Sequence, residues 1–89
     1  MRSFALSEHF LMKRSEIASN RVRDNIDRML ATIRATPGVG SVLIADSVRR
    51  RYGSEILKAV VSPYLIIYRY DRTNDAVYIL DLLDARRVH

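Results

Sequence analysis

Eighty-nine residues, 48% of them hydrophobic, with few Gly and Pro and a net charge of +5, describe one small, basic, globular domain spanning 1–89. No apolar run approaches the ~18–20 residues of a membrane span, and Met1-Arg2-Ser3-Phe4-Ala5-Leu6-Ser7 lacks the apolar core of a signal peptide, so a cytoplasmic protein without membrane contact is expected. The absence of cysteine excludes disulfides and thiolate metal sites, and His9 and His89 lie near opposite ends without further ligands, so no cofactor or metal is expected.

In chain order, residues 3–7 read as a short strand with Phe4 and Leu6 on one face. Ser7 is placed to cap a helix starting at Glu8, whose carboxylate suits the positive end of the helix dipole; the helix is expected over 8–19. Val22, Ile26, Met29, Leu30 and Ile33 fall at i, i+4, i+7, i+8 and i+11, the apolar stripe of a second, amphipathic helix. Thr36-Pro37-Gly38 ends it, because proline cannot continue the hydrogen-bond ladder and glycine supplies a turn. The two helices form a hairpin joined near Ser19-Asn20. The link that follows is irregular, with a short helical turn over 46–53 ending at Gly53; Gly38-Val39-Gly40-Ser41 lacks the lysine of a phosphate loop.

Three strands then follow, over 55–61, 64–71 and 76–83. Ser62-Pro63 separates the first two, and Asn74-Asp75 closes the polar turn between the last two. The fold class is therefore α+β, in the order β-α-α-β-β-β, with a helical hairpin packed on a small antiparallel sheet. The first strand is placed beside the meander. Side chains alternate along a strand, so Tyr64, Tyr68 and Tyr70 share one face and Leu65, Ile67 and Arg69 the other. If the helices cover the tyrosines, these rings are core, and Leu65, Ile67 and Arg69 line an open, partner-binding face. The competing arrangement makes the tyrosines a base-stacking platform.

The common catalytic signatures are missing: no G-x-S-x-G elbow, H-E-x-x-H helix, Walker loop or Rossmann glycine pattern occurs. Asp81 and Asp84 are expected to pair with Arg69, Arg86 or Arg87 rather than to act as acid and base. The positive charge favours a polyanionic partner, and most of it is arginine, whose planar fork matches phosphate and carboxylate. Two clusters stand out, Arg49-Arg50-Arg51 in the link and Arg86-Arg87 after the last strand.

The run S-P-Y-L-I-I-Y-R…V-Y-I-L-D-L-L-x-A-R-R, between Ser62 and Arg87, resembles the C-terminal hairpin of the RelE/ParE superfamily of bacterial toxins, and is closer to the ParE branch. The β-α-α-β-β-β order is also that of this family. The resemblance implies the toxin component of a type II toxin–antitoxin (plasmid stabilisation) system, neutralised by a cognate antitoxin. The antitoxin would dock on the groove of Leu65, Ile67 and Arg69 and on Arg86 and Arg87. In the ParE branch the target is DNA gyrase, inhibited by binding; in the RelE branch it is messenger RNA cleaved on the ribosome. A nuclease of the second kind would use Lys58, Arg69, Arg86 and His89 here for proton transfer and phosphate stabilisation. Leu65 stands where RelE-like sequences carry an arginine, Ile56 where they carry a second strand lysine, and no tyrosine follows Arg87. Asp84 replaces the histidine frequent before the Ala-Arg of ParE-like sequences. The departures at Leu65, Ile56 and the C-terminal end favour a toxin that acts by binding, ahead of an mRNA endonuclease. A basic nucleic-acid-binding module without toxicity is the third alternative, resting on charge alone.

Overall fold

The computed structural model describes residues 1–87, as four strands and three α-helices. In order they are β1 (Ser3–Leu6), α1 (Glu8–Ser15), α2 (Asn20–Ala35), α3 (Asp46–Tyr52), β2 (Leu57–Val61), β3 (Tyr64–Asp71) and β4 (Ala76–Asp84), with 3-10 turns over Pro37–Val39 and Ala85–Arg87. Every expected element is present. Helix α1 stops at Ser15, short of the expected 19, and β2 starts at Leu57 rather than 55.

The capping chemistry read from the sequence operates at both helices of the hairpin. Ser7 Oγ accepts the Phe10 amide at 3.1 Å, and Ser19 Oγ accepts the Val22 amide at 3.2 Å. Ser7 also donates to the Leu80 carbonyl at 2.8 Å, which fixes the start of α1 to β4. Across the hairpin, Arg14 holds Asp27 through Nε–Oδ1 (2.8 Å) and Nη2–Oδ2 (2.5 Å).

The sheet has the order β1-β4-β3-β2. Strands β2, β3 and β4 form the antiparallel meander, with Tyr68 opposite both Leu57 and Ile79. One correction concerns β1: it joins β4 in parallel, Phe4 against Val77, so the sheet is mixed rather than antiparallel. The chain crosses the whole helical hairpin and link before returning, and a crossover of that length permits parallel pairing.

The helix-side core contains Phe10, Ile26 and Ile33 from the helices, Ile17 from the loop between them, and Ala59, Ile66, Tyr68, Val77, Ile79 and Leu82 from the sheet. Val22, Met29 and Leu30 pack partly buried against it, so the whole predicted stripe of α2 faces the sheet. The tyrosine face is thus the covered one. Tyr68 is fully buried; its hydroxyl accepts the Gly40 amide (2.8 Å) and donates to the Pro37 carbonyl (2.7 Å). A Cβ at Gly40 would meet the Tyr68 hydroxyl at 2.4 Å, so this close approach needs glycine.

Strand β4 changes pleat at a bulge. Ile67 pairs with Asp81 but Tyr68 pairs with Ile79, leaving Leu80 without a partner. Val77, Ile79 and then Leu82 join the helix-side core, while Leu80 and Leu83 turn to the opposite face. That opposite face also carries Leu65 and Ile67.

Candidate functional site

The face read from the sequence as open is covered. Leu65 (9% exposed) and Ile67 (0%) are buried with Val48 and Ile56, and Ile44, Ala45, Tyr52, Leu80 and Leu83 pack around them. The cover is α3 and its flanking link, drawn across the sheet because Val48 is apolar among three exposed arginines. This corrects the expectation of an exposed Leu65-Ile67 groove. What remains open is a cleft of about 270 Å³ between cover and sheet, lined by Ile44, Val48, Lys58, Leu65, Ile67 and Ala85.

The expected basic residues do not converge. Arg69 is half-buried, and its Nη2 donates to the Tyr52 carbonyl at 2.9 Å. It opens onto a separate depression with Glu55, Arg72 and Tyr78. Lys58 lies at the α3 cleft. Arg86 and Arg87 are exposed in the 3-10 turn, itself tied to the β2–β3 turn by the Ala85 amide on the Pro63 carbonyl (2.8 Å). Arg87 borders a third cleft, of about 430 Å³, with Lys13, Glu16, Tyr64 and Asp84. His89 lies outside the described residues.

Asp84 and Arg86 pair as expected, in a two-pronged contact (Nε–Oδ1 2.9 Å, Nη2–Oδ2 2.7 Å). This fork, with the Arg86 amide, brings the Asp84 carboxyl down to about 2. The guanidinium of Arg86 thus carries its own counterion. Of the link triplet, Arg49 donates to the Val42 carbonyl at 2.7 Å and Arg51 lies 5.5 Å above the Tyr52 ring.

Asp81 departs from expectation: it meets none of Arg69, Arg86 and Arg87. Fully buried, it accepts from Lys13 Nζ (2.8 Å), the Tyr52 hydroxyl and the Leu82 amide (2.7 Å), with His9 Nε2 at 3.5 Å. Burial pushes its carboxyl up, but the bonds from Lys13, Tyr52 and Leu82 outweigh this and leave it below the ordinary value. Tyr52 is pushed up to about 12, first by burial and then by the adjacent carboxylate. This junction binds α1, α3 and β4 together. Sequence reasoning missed it, although two signals were present: a lone carboxylate inside the apolar run Val77–Leu83, and His9 and Lys13 one helical turn apart. Among the described residues no group of His, Asp and Glu is arranged to hold a metal ion, and no helix is long and apolar enough to cross a membrane.

Residues 5–89 match the family model described as the ParE toxin of the type II toxin–antitoxin system parDE. The chain therefore belongs to the ParE toxin family, within the RelE/ParE superfamily. Its fold is similar to that of the toxin in the intact E. coli RelBE toxin–antitoxin complex, with TM-score 0.69 and 16% identity over 98% of this chain and 100% of that one. The isolated E. coli RelE toxin superposes with TM-score 0.72 at 14% identity, covering 100% of this chain and 89% of the other. For the Mycobacterium tuberculosis RelBE2 complex the TM-score is 0.71 and the identity 18%, over 93% and 90% of the two chains. Comparison with curated proteins gives no match.

Proposed function

We propose that this chain is a toxin held inactive by a cognate antitoxin, and that it acts by binding a target such as DNA gyrase rather than by cleaving RNA. Several of the similar solved structures are toxin–antitoxin complexes, which supports a protein partner of the antitoxin kind. The observation that carries the binding mode is Leu65. It stands where RelE-like sequences place an arginine, and here it is an apolar wall of the α3 cleft. A phosphate transition state at this face would lack that cation, and stabilisation of developing charge is the largest contribution such a nuclease needs. Arg69, engaged by the Tyr52 carbonyl, and Arg86, engaged by Asp84, point to the same reading.

The contact surface assigned to target and antitoxin is Lys58 at the α3 cleft rim, together with Arg69, Arg86 and Arg87. The test runs primer extension on translating ribosomes beside a gyrase supercoiling assay, with wild-type protein and the Arg86→Ala/Arg87→Ala double variant. No codon-positioned cuts, gyrase inhibition by the wild type and weaker inhibition by the variant are expected, because exposed arginines on an acidic or phosphate-bearing target set binding strength. Cuts that disappear in the variant would replace this reading with an mRNA endonuclease.

A further inference from the structure

We infer that the cleft between α3 and the sheet seats an extended segment of a protein partner, which sets an apolar side chain against Leu65 and Ile67 and a carboxylate on Lys58. The inference deepens the antitoxin reading and rests on it for the source of the segment. The cover stays closed throughout. Ile44, Ala45, Val48 and Tyr52 pack on the buried Leu65–Ile67 cluster, and the cleft is what that packing leaves open beside Lys58 and Ala85.

The chemistry of the walls selects the ligand. Among the described residues, every one lining the cleft is apolar except Lys58. The Lys58 ammonium forms no ion pair with a described residue. Asp84, next to Ala85, is held by Arg86 (2.9 and 2.7 Å), and Asp46, next to Ala45, is exposed and does not line the cleft. One uncommitted cation on apolar walls is complementary to a single negative charge carried beside an apolar group. At about 270 Å³ the cleft is smaller than the ~300–1,000 Å³ of small-molecule and cofactor sites, and it has room for a side chain. A polynucleotide strand would bring several phosphates to one lysine and leave the apolar walls unused.

The rim offers bonds to the main chain of the segment. Strand β2 is an edge of the sheet, and Lys58 exchanges backbone hydrogen bonds with Ser41 on its outer side (2.8 and 2.9 Å). Outward-facing residues alternate along an antiparallel strand, so the amide and carbonyl of Val60 also point outward, beyond the Ser41 bridge. Val60 is 57% exposed, and Val42 (62%) and Leu43 (76%) lead from Ser41 to Ile44 in the cleft wall. Exposed apolar side chains beside an unpaired strand edge suit an extended segment. Residues i and i+2 of such a segment share a face, so an apolar and an acidic residue at that spacing reach the cleft and Lys58 together.

The test is an amide NMR titration of the isolated full chain. The probe is a capped Ser-Leu-Ser-Asp-Ser peptide, beside versions with serine for leucine or asparagine for aspartate. Saturable shifts at millimolar peptide are expected at Val48, Lys58, Val60, Leu65 and Ile67. Binding should be about tenfold weaker for each altered peptide, and for Lys58→Met, which keeps the aliphatic stem and drops the charge. Should that variant not fold, the peptide series decides by itself. No saturable shift, equal binding by all three peptides, or shifts confined to residues away from the cleft would overturn the inference. Octanoate binding the same amides more tightly than the peptide would assign the cleft to a free amphiphilic acid. Shifts that follow protein concentration without peptide would assign it to a second copy of the chain. Either result overturns the inference. Growth and gyrase assays read the toxin assignment separately, so failure here leaves that assignment standing.

Discussion

Single side chains in this protein take their properties from contacts made across the fold. Tyr52, pushed up to about 12, holds its proton far above the ~10 of a free phenol. Its folded pKa exceeds its unfolded one, so the stability it lends is complete below pH ~10 and is lost as the pH rises through about 12. A denaturation series across that window should show a loss that Tyr52→Phe reduces but does not remove, because burial also raises Tyr68. Asp81 has the opposite sign: with its carboxyl held below the ordinary value, its contribution is present above pH ~4 and fades as the pH falls through its folded pKa. Asp81→Asn should cost about 1–3 kcal/mol in urea denaturation, the range for a buried charge-assisted hydrogen bond, because partly exposed Lys13 can rehydrate. At Asp84 the fork from Arg86 sets the value of about 2, and Arg86→Ala should move its titration, followed by NMR, back toward the ordinary carboxylate range. Gly40→Ala should destabilise by about 1–3 kcal/mol, since the new methyl overlaps the Tyr68 hydroxyl and the Lys58 carbonyl behind it leaves no room to shift.

Among the elements, the two helices of the hairpin and the link behave differently, and the difference follows from how much each buries. Helix α2 sends Ile26 and Ile33 fully into the core, and Ile26→Ala should cost about 2–5 kcal/mol, read from the urea midpoint. Helix α1 is secured at its start by Ser7, which caps the helix and also grips Leu80; Ser7→Ala removes both bonds and should cost about 1–2 kcal/mol. Helix α3 buries one side chain, Val48, so Val48→Ala should cost less than Ile26→Ala in the same measurement. The element order was legible from period and punctuation: the i, i+4, i+7 stripe of α2, the capping serines, the Thr36-Pro37-Gly38 stop and the glycine after Tyr52. The overlong reading of α1 has a plain cause. Ile17 and Ala18 continue its apolar spacing, but Glu16 closes the helix with its amide on the Lys13 and Arg14 carbonyls, and Ile17 reaches the core from the loop.

For the molecule as a whole, covering both faces of the sheet changes what a test of partner binding must avoid. Ile67 is fully buried by the chain itself, so Ile67→Glu would place an unpaired charge in the core and unfold the protein, rather than report on an interface. Arg86 and Arg87 are exposed, and their joint replacement should leave the unfolding transition cooperative while reducing toxicity in cells. That pairing of an intact fold with weakened activity is what separates a contact surface from a structural element. Circular dichroism melts beside growth assays with the two proteins supply the comparison.

Local chemistry written in the sequence determined the elements, the sharing of one strand face by the tyrosines, the Asp84–Arg86 neighbourhood and the family, because periodicity, capping and a contiguous hairpin motif act over a few residues. Three features were decided only in three dimensions. The parallel docking of β1 depends on where a long crossover returns. The burial of Leu65 and Ile67 depends on a short helix and its flanking link, whose position no local rule specifies and which pack there through Ile44, Ala45, Val48 and Tyr52. The partners of Asp81 come from α1 and α3, elements far from it in the chain, and a buried carboxylate accepts whichever donors the packing delivers.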